Sequence, residues 1–126
     1  MLKDTRIVFI GAGAMGGAMI TGLLSRKLVA PDQIVAADPH EEITVRLHEK
    51  CGVDITTDNV AACEGANIVV LSVKPQVLPQ VFAELASIIP DDELVISIVA
   101  GANINSVCEG LQHQSVVRSM PNTPAQ

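Results

Sequence analysis

Short apolar runs alternate along the chain with segments in which apolar residues recur every three or four positions. The runs predict six buried strands, over residues 6–10, 34–37, 53–56, 67–73, 94–99 and 115–119. The recurring positions predict helices over about residues 15–25, 41–50, 78–89 and 104–111, and Asp58 can cap a short helix through Cys63. This alternation predicts βαβ units and therefore a doubly wound, mostly parallel α/β sheet in a single domain, residues 1–126.

The first predicted strand runs directly into a glycine-rich turn with glycines at positions 11, 13 and 16. A dinucleotide-binding turn has a strand before it, a helix after it and an acidic residue roughly 20 residues further on, where Asp38 closes the second strand. In such a turn Gly11 permits the tight bend, Gly13 lets the backbone approach a pyrophosphate, and Gly16 lets helix and strand pack closely. The turn therefore predicts a Rossmann-like site, and the alternative is a plain glycine turn in another α/β protein.

Asp38 bears on which dinucleotide would bind. Its carboxylate can accept hydrogen bonds from adenosine ribose hydroxyls and would repel a 2′-phosphate. The stretch "DPHEEITV" contains no arginine before Arg46, so the loop lacks an obvious phosphate clamp. This favours NAD over NADP. The alternative interpretation is that Asp38 is an exposed acid in a turn.

Four further stretches follow predicted strands, and the carboxyl ends of parallel strands meet at one edge of a sheet. They are "DN" (58–59), "SVKP" (72–75), "IVAG" (98–101) and "SMPNTP" (119–124). We expect them to gather around the same crevice as the glycine turn. Each can also be a simple loop: Lys74 can be a surface lysine, and Asn122 between two prolines can merely shape a turn.

Composition excludes several classes of function. The chain has 126 residues, 48% of them hydrophobic, and a net charge of −6 that argues against binding a nucleic-acid backbone. Its three cysteines form no CxxC pair and share no ligand spacing with its histidines, which predicts reduced thiols and no metal site. No signal peptide and no apolar run of about 20 residues is present, so we expect a soluble cytoplasmic protein without a membrane span.

The stretches "IVFIGAGAMGGAM", "LSVKPQVLPQVF", "ISIVAG" and "VVRSMPNTP" together resemble pyrroline-5-carboxylate reductases. "MPNTP" after the sixth strand is the most specific of them. The resemblance covers nearly the whole chain, but only the amino-terminal half of such an enzyme. It implies an oxidoreductase of proline biosynthesis that reduces the small cyclic imine 1-pyrroline-5-carboxylate to L-proline with NADPH or NADH.

The glycine turn and the resemblance together give the expected cofactor contacts, with the nicotinamide end near Val99, Ala100 and Asn122. The complete set is Ile10, Gly11, Ala12, Gly13, Ala14, Met15, Gly16, Asp38, Pro39, Asn59, Ser72, Val73, Lys74, Pro75, Val99, Ala100, Gly101 and Asn122. The run Ala37-Asp38-Pro39 departs from the phosphate-binding members of the family, which puts a preference for NADPH in doubt.

The resemblance further implies a helical second half, absent from this chain, that forms the family's homo-oligomer and holds the imine's carboxylate. No side chain in the chain fits a general acid, so no catalytic residue is assigned, and we expect the chain alone to bind dinucleotide weakly without turnover. Two alternatives stay open. One is another Rossmann enzyme, such as a 3-hydroxyacid dehydrogenase or a deazaflavin-dependent NADP reductase. The other is a stand-alone nucleotide-binding or redox-sensing module.

Overall fold

The computed structural model describes residues 4–119, and within them six strands form one parallel sheet. The sheet order is β3-β2-β1-β4-β5-β6, so the chain winds outward from β1 in one direction and then from β4 in the other. All neighbouring strands pair in parallel, which confirms the predicted doubly wound α/β sheet. The strands are β1 (Ile7–Ile10), β2 (Ile34–Ala37), β3 (Asp54–Thr56), β4 (Ile68–Leu71), β5 (Leu94–Ser97) and β6 (Val116–Arg118).

Helices cover both faces of the sheet. They are α1 (Ala14–Ser25), α2 (Glu41–Cys51), α3 (Asn59–Ala62), α4 (Leu78–Leu85) and α5 (Ile104–Leu111), with 3₁₀ turns at Pro31–Gln33 and Pro75–Val77. Alternate residues of a strand point to opposite faces, so β1 contributes to two separate cores. Val8 packs in the core beneath α4 and α5, whereas Phe9 packs in the core beneath α1 and α2. Two buried faces explain why β1, β2 and β4 read as unbroken apolar runs.

Several elements are shorter than the sequence predicts. The helix expected to reach Ile89 ends at Leu85, because the backbone leaves the helical region at Ala86, with a ψ of 126°, and Ser87 follows with a φ of 64°. Ile89 nevertheless remains buried in the core, and the strand expected over 67–73 keeps only Ile68–Leu71. The predicted cap of α3 is confirmed: Asp58 Oδ1 accepts from the N–H groups of Val60 at 3.0 Å and Ala61 at 3.2 Å.

Two kinds of feature are absent from residues 4–119. None of the helices there is long and apolar enough to cross a membrane. No cluster of histidine, cysteine and acidic side chains in the same part of the chain is arranged to hold a metal ion. Cys51, Cys63 and Cys108 all carry free thiols.

Candidate dinucleotide site

The glycine turn follows β1 and is held by residues at the carboxyl ends of the two strands beside it, β2 and β4. Gly11 has a φ of 99°, and a Cβ atom there would lie 2.8 Å from the backbone oxygen of Ser72. Its N–H donates to the Ala37 carbonyl at 2.8 Å, while the Ser72 hydroxyl donates to the Gly11 carbonyl at 2.6 Å. Because both the backbone conformation and the close approach exclude a side chain, the turn requires glycine here.

The other two glycines of the turn differ in what surrounds them. A Cβ atom on Gly16 would lie 2.5 Å from the Gly11 carbonyl oxygen, so α1 packs directly against the turn. A Cβ atom on Gly13 would meet nothing within 4 Å. Gly13 is the N-cap of the twelve-residue α1, no side chain caps it, and the first turn carries no acidic residue. The positive end of this helix therefore faces open space, which is the arrangement an anionic group needs.

Asp38 connects the end of β2 to the glycine turn. Its Oδ2 accepts from the Ala12 N–H at 3.0 Å, and its Oδ1 accepts from the His40 N–H at 2.9 Å. The His40 ring approaches the same Oδ1, with Nδ1 at 2.9 Å. Only 8% of Asp38 is exposed. Protein donors therefore already use most of the acceptor capacity of this carboxylate.

The surroundings of Asp38 favour its ionised form. Burial acts to raise the pKa of the carboxyl, but the hydrogen bonds from the Ala12 and His40 N–H groups, together with the His40 ring, outweigh burial and lower the pKa below its usual value. Asp38 is consequently a carboxylate at neutral pH, placed beside the open end of α1.

A cleft of about 390 Å³ runs along the carboxyl ends of β1, β2 and β4. It lies at the point where the strand order reverses, which is where doubly wound sheets bind ligands. Nine of the expected contacts line it: Ile10, Gly11, Gly13, Asp38, Pro39, Asn59, Ser72, Val73 and Lys74. The structure therefore brings three separate loops and the start of α3 to one surface.

The other expected contacts have different surroundings. Ala12 and Gly16 are buried within the turn, Ala14 and Met15 are exposed at the start of α1, and Pro75 is exposed after β4. Beyond β5, the Val99 side chain is buried whereas Ala100 and Gly101 are exposed. Gly13 and Ala14 also line a second groove between α1 and α2. Asn122 lies outside the described residues.

Sequence reasoning missed several residues that line the cleft: His40, Ile43, Thr57, Val77, Gln80, Val81 and Glu84. Gln80 and Glu84 are exposed residues one helical turn apart on α4, and this spacing is the sequence signal that could have found them. Glu84 Oε1 accepts from Asn59 Nδ2 at 2.9 Å. This contact orients the Asn59 amide, whose buried Oδ1 finds no hydrogen-bond partner within residues 4–119.

The parallel sheet, its strand order and the glycine turn at the switch point define the class of this protein, a Rossmann-like α/β domain. The chain belongs to the family described as NADP oxidoreductase, coenzyme F420-dependent, whose family model matches residues 6–101.

Individual relatives confirm the resemblance to pyrroline-5-carboxylate reductases. The pyrroline-5-carboxylate reductase of Methanosarcina acetivorans is 38% identical over 98% of this chain and 46% of its own length. The solved structure of the Coxiella burnetii pyrroline-5-carboxylate reductase is 35% identical, with a TM-score of 0.90 over 97% of this chain and 46% of that one. The Plasmodium falciparum enzyme, solved with NADP bound, is 24% identical with a TM-score of 0.82 over 98% of this chain and 45% of that one, and shows the fold alone. The chain thus spans about half the length of the relatives it matches.

Proposed function

We propose that this chain is the cofactor-binding half of a pyrroline-5-carboxylate reductase, which reduces 1-pyrroline-5-carboxylate to L-proline with NADPH or NADH. The observation that carries the proposal is the open N-terminus of α1 at Gly13, which faces a cleft lined by Asp38, Asn59 and Lys74. The similarity to reductases of this name supports the reaction. A cytoplasmic location, a helical second half that forms a homo-oligomer, and an imine site completed by that half are part of the same proposal.

The residues of the cleft fit the chemistry of a dinucleotide. The N–H groups at the start of α1 bind the pyrophosphate, because the space beside Gly13 admits an anion and the helix dipole favours one. Lys74 is exposed at the mouth of the cleft and supplies a positive charge to the same phosphates. Asn59 lines the cleft, and its amide can form a hydrogen bond with a hydroxyl or amino group of the adenosine.

By this proposal the nicotinamide end of the cofactor lies along the loop after β5, at Val99 and Ala100; the third expected contact, Asn122, lies outside the described residues. When bound, the reduced nicotinamide supplies the hydride for the imine carbon. The chain's own task is to hold that ring at a fixed edge of the sheet and keep water from it. No side chain of the described cleft is assigned as a proton donor.

A chimera tests this function directly. The matched segment of the Coxiella burnetii enzyme is replaced by this chain, and NADPH- and NADH-dependent formation of proline is measured. We expect activity from the chimera, a lower activity at limiting cofactor when it carries Gly13→Ala, and no turnover from the chain alone. A folded chimera that binds neither cofactor would overturn the proposal.

Cofactor choice is tested on the chain itself by calorimetric titration. At about pH 8, where a histidine ring is neutral, we expect NADH to bind more tightly than NADPH, because the Asp38 carboxylate repels a 2′-phosphate. Asp38→Ser should narrow this difference. Equal affinities of the unmodified chain for both cofactors would remove the role given to Asp38.

The family description supports a second candidate, hydride exchange between NADP and a deazaflavin, coenzyme F420. The same chimera separates the two functions. Oxidation of NADPH that depends on coenzyme F420, without proline formation from the imine, would favour this candidate.

A further inference from the structure

Asp38 holds the ring of His40 at the surface of the cleft. His40 Nδ1 lies 2.9 Å from Asp38 Oδ1, and both residues line the cleft. The two side chains differ in accessibility, with 66% of the His40 side chain exposed against 11% of the Asp38 side chain. The histidine ring is thus fixed from one side by a buried carboxylate and open to a ligand on the other.

This contact determines which ring nitrogen can gain or lose a proton. An ionised carboxylate can only accept hydrogen bonds, so Nδ1 carries a hydrogen in both the neutral and the charged ring. Protonation of His40 therefore takes place at Nε2. In the neutral ring Nε2 is an acceptor, and in the charged ring it is a cationic donor.

We infer that His40, oriented by Asp38, selects between NADH and NADPH through the protonation state of Nε2. The inference rests on the function proposed above. The neutral ring accepts a hydrogen bond from the ribose 2′-hydroxyl of NADH. Towards the 2′-phosphate of NADPH the neutral Nε2 presents only a lone pair, with which an ionised phosphate oxygen cannot form a hydrogen bond. The protonated ring donates a charged N–H to the 2′-phosphate of NADPH and offsets the charge of Asp38. The loop after β2 therefore contains a phosphate ligand even though it lacks an arginine.

Other charged groups surround this site. Lys74 and Glu84 line the same cleft, Glu41 and Glu42 open α2 beside His40, and Arg46 lines the neighbouring groove together with Gly13. Lysine, arginine and glutamate side chains ordinarily keep their charge between about pH 6 and about pH 8, where histidine changes its charge. A change in cofactor preference over this range that disappears when His40 is replaced therefore reports on His40.

The experiment measures the dissociation constants of NAD⁺ and NADP⁺ for the whole chain by calorimetry, between about pH 6 and about pH 8. The oxidised cofactors are used because they withstand acid. The 2′-phosphate itself loses a proton near pH 6, so each profile is compared with that of His40→Asn. Asparagine can still donate to Asp38 but cannot become charged. Arg46→Gln is the matched control for removal of a nearby positive charge.

One unit charge about 4 Å from another changes an affinity by about fivefold even in water. We therefore expect the preference for NADP⁺ over NAD⁺ to fall at least about fivefold from the lower to the higher pH, relative to His40→Asn. In Arg46→Gln this preference should change with pH as steeply as it does in the wild type. In His40→Gln it should change as it does in His40→Asn. If both cofactors bind, but the preference for NADP⁺ over NAD⁺ changes equally with pH in wild type and His40→Asn, the inference is overturned and the proposed function stands. Binding of neither cofactor would overturn both.

Discussion

The Oδ2 atom of Asp38 accepts a hydrogen bond from the Ala12 N–H at 3.0 Å, across 26 positions of sequence. The bond connects the end of β2 to the turn after β1, so two loops of the cleft hold each other in place. The sequence predicts that this carboxylate binds the ribose of a cofactor. In the structure it also acts as a structural acceptor for Ala12 and His40, which leaves it little remaining capacity for a ligand.

Removal of this acceptor should destabilise the fold. For Asp38→Ala we expect the free energy of unfolding to fall by about 2 kcal/mol at neutral pH, because N–H groups lose a charged partner. The measurement is chemical denaturation. Asp54→Ala is the control, since Asp54 forms an exposed ion pair with Arg6 that should contribute less than about 1 kcal/mol. Equal losses in both variants would contradict the structural role of Asp38.

The same residue gives a pH dependence with a definite sign. The pKa of Asp38 is lower in the folded state than in the unfolded chain. Its contribution to stability is therefore complete above the unfolded pKa of about 4 and is lost as the pH falls through the folded pKa. The difference in stability between wild type and Asp38→Ala should therefore shrink as the pH falls below about 4. A constant difference between their unfolding curves at all pH values would refute this prediction.

Two glycines of the turn should respond differently to alanine. Gly16→Ala places a methyl group 2.5 Å from a backbone oxygen, so we expect a loss of about 1–3 kcal/mol in stability. Gly13→Ala meets no atom within 4 Å and should leave thermal unfolding nearly unchanged. It should instead weaken dinucleotide binding by about tenfold, or about 1.4 kcal/mol, because the methyl group occupies the space left for the pyrophosphate. Unchanged affinity in a folded Gly13→Ala chain would place the pyrophosphate elsewhere.

A buried carboxyl lies at the opposite end of the sheet. Glu93 is 5% exposed, and its Oε1 finds no hydrogen-bond partner within the described chain. Burial raises the pKa of this carboxyl. The charge of Asp92 raises the pKa further, and His113 acts to lower it. Glu93 therefore stabilises the fold below its unfolded pKa, and that contribution is lost as the pH rises through the folded value.

The substitution Glu93→Gln should accordingly make the chain more stable at neutral pH and flatten the dependence of stability on pH. We expect the gain to exceed the ±0.5 kcal/mol or so that surface substitutions produce. Denaturant titrations at about pH 4.5, near the ordinary pKa of glutamate, and at about pH 7.5 compare the two conditions. Asp91→Asn, at an exposed neighbouring position, should show neither effect.

The three thiols should differ in reactivity. Burial, aided by the charge of Glu93, raises the pKa of the Cys63 thiol to about 12, whereas Cys51 and Cys108 are only half-buried. Because the thiolate is the reactive form, iodoacetamide at neutral pH should label Cys63 last. Peptide mass spectrometry of the native and the denatured chain measures this order. Early labelling of native Cys63 would contradict it.

The sequence predicted the fold well because its signals were local. Each apolar run and each helical repeat formed an element near its predicted place, and Asp58 capped α3 through bonds that span only two or three residues. The predicted ends were less accurate. The end of an element depends on local backbone conformation: at Ala86 the backbone leaves the helical region, so α4 ends before its apolar repeat does.

The amino-acid sequence by itself determined the parallel α/β architecture, the glycine turn and the loops that would meet at one edge, since periodicity and turn chemistry are encoded within short stretches. Only the tertiary structure decided what each residue of the site contacts. In the folded chain Asp38 forms hydrogen bonds with Ala12 and His40, and Glu84 forms one with Asn59. There is space for a ligand beside Gly13 but none beside Gly16. These relationships depend on packing between segments distant in sequence, and neither spacing nor residue type encodes the distances involved.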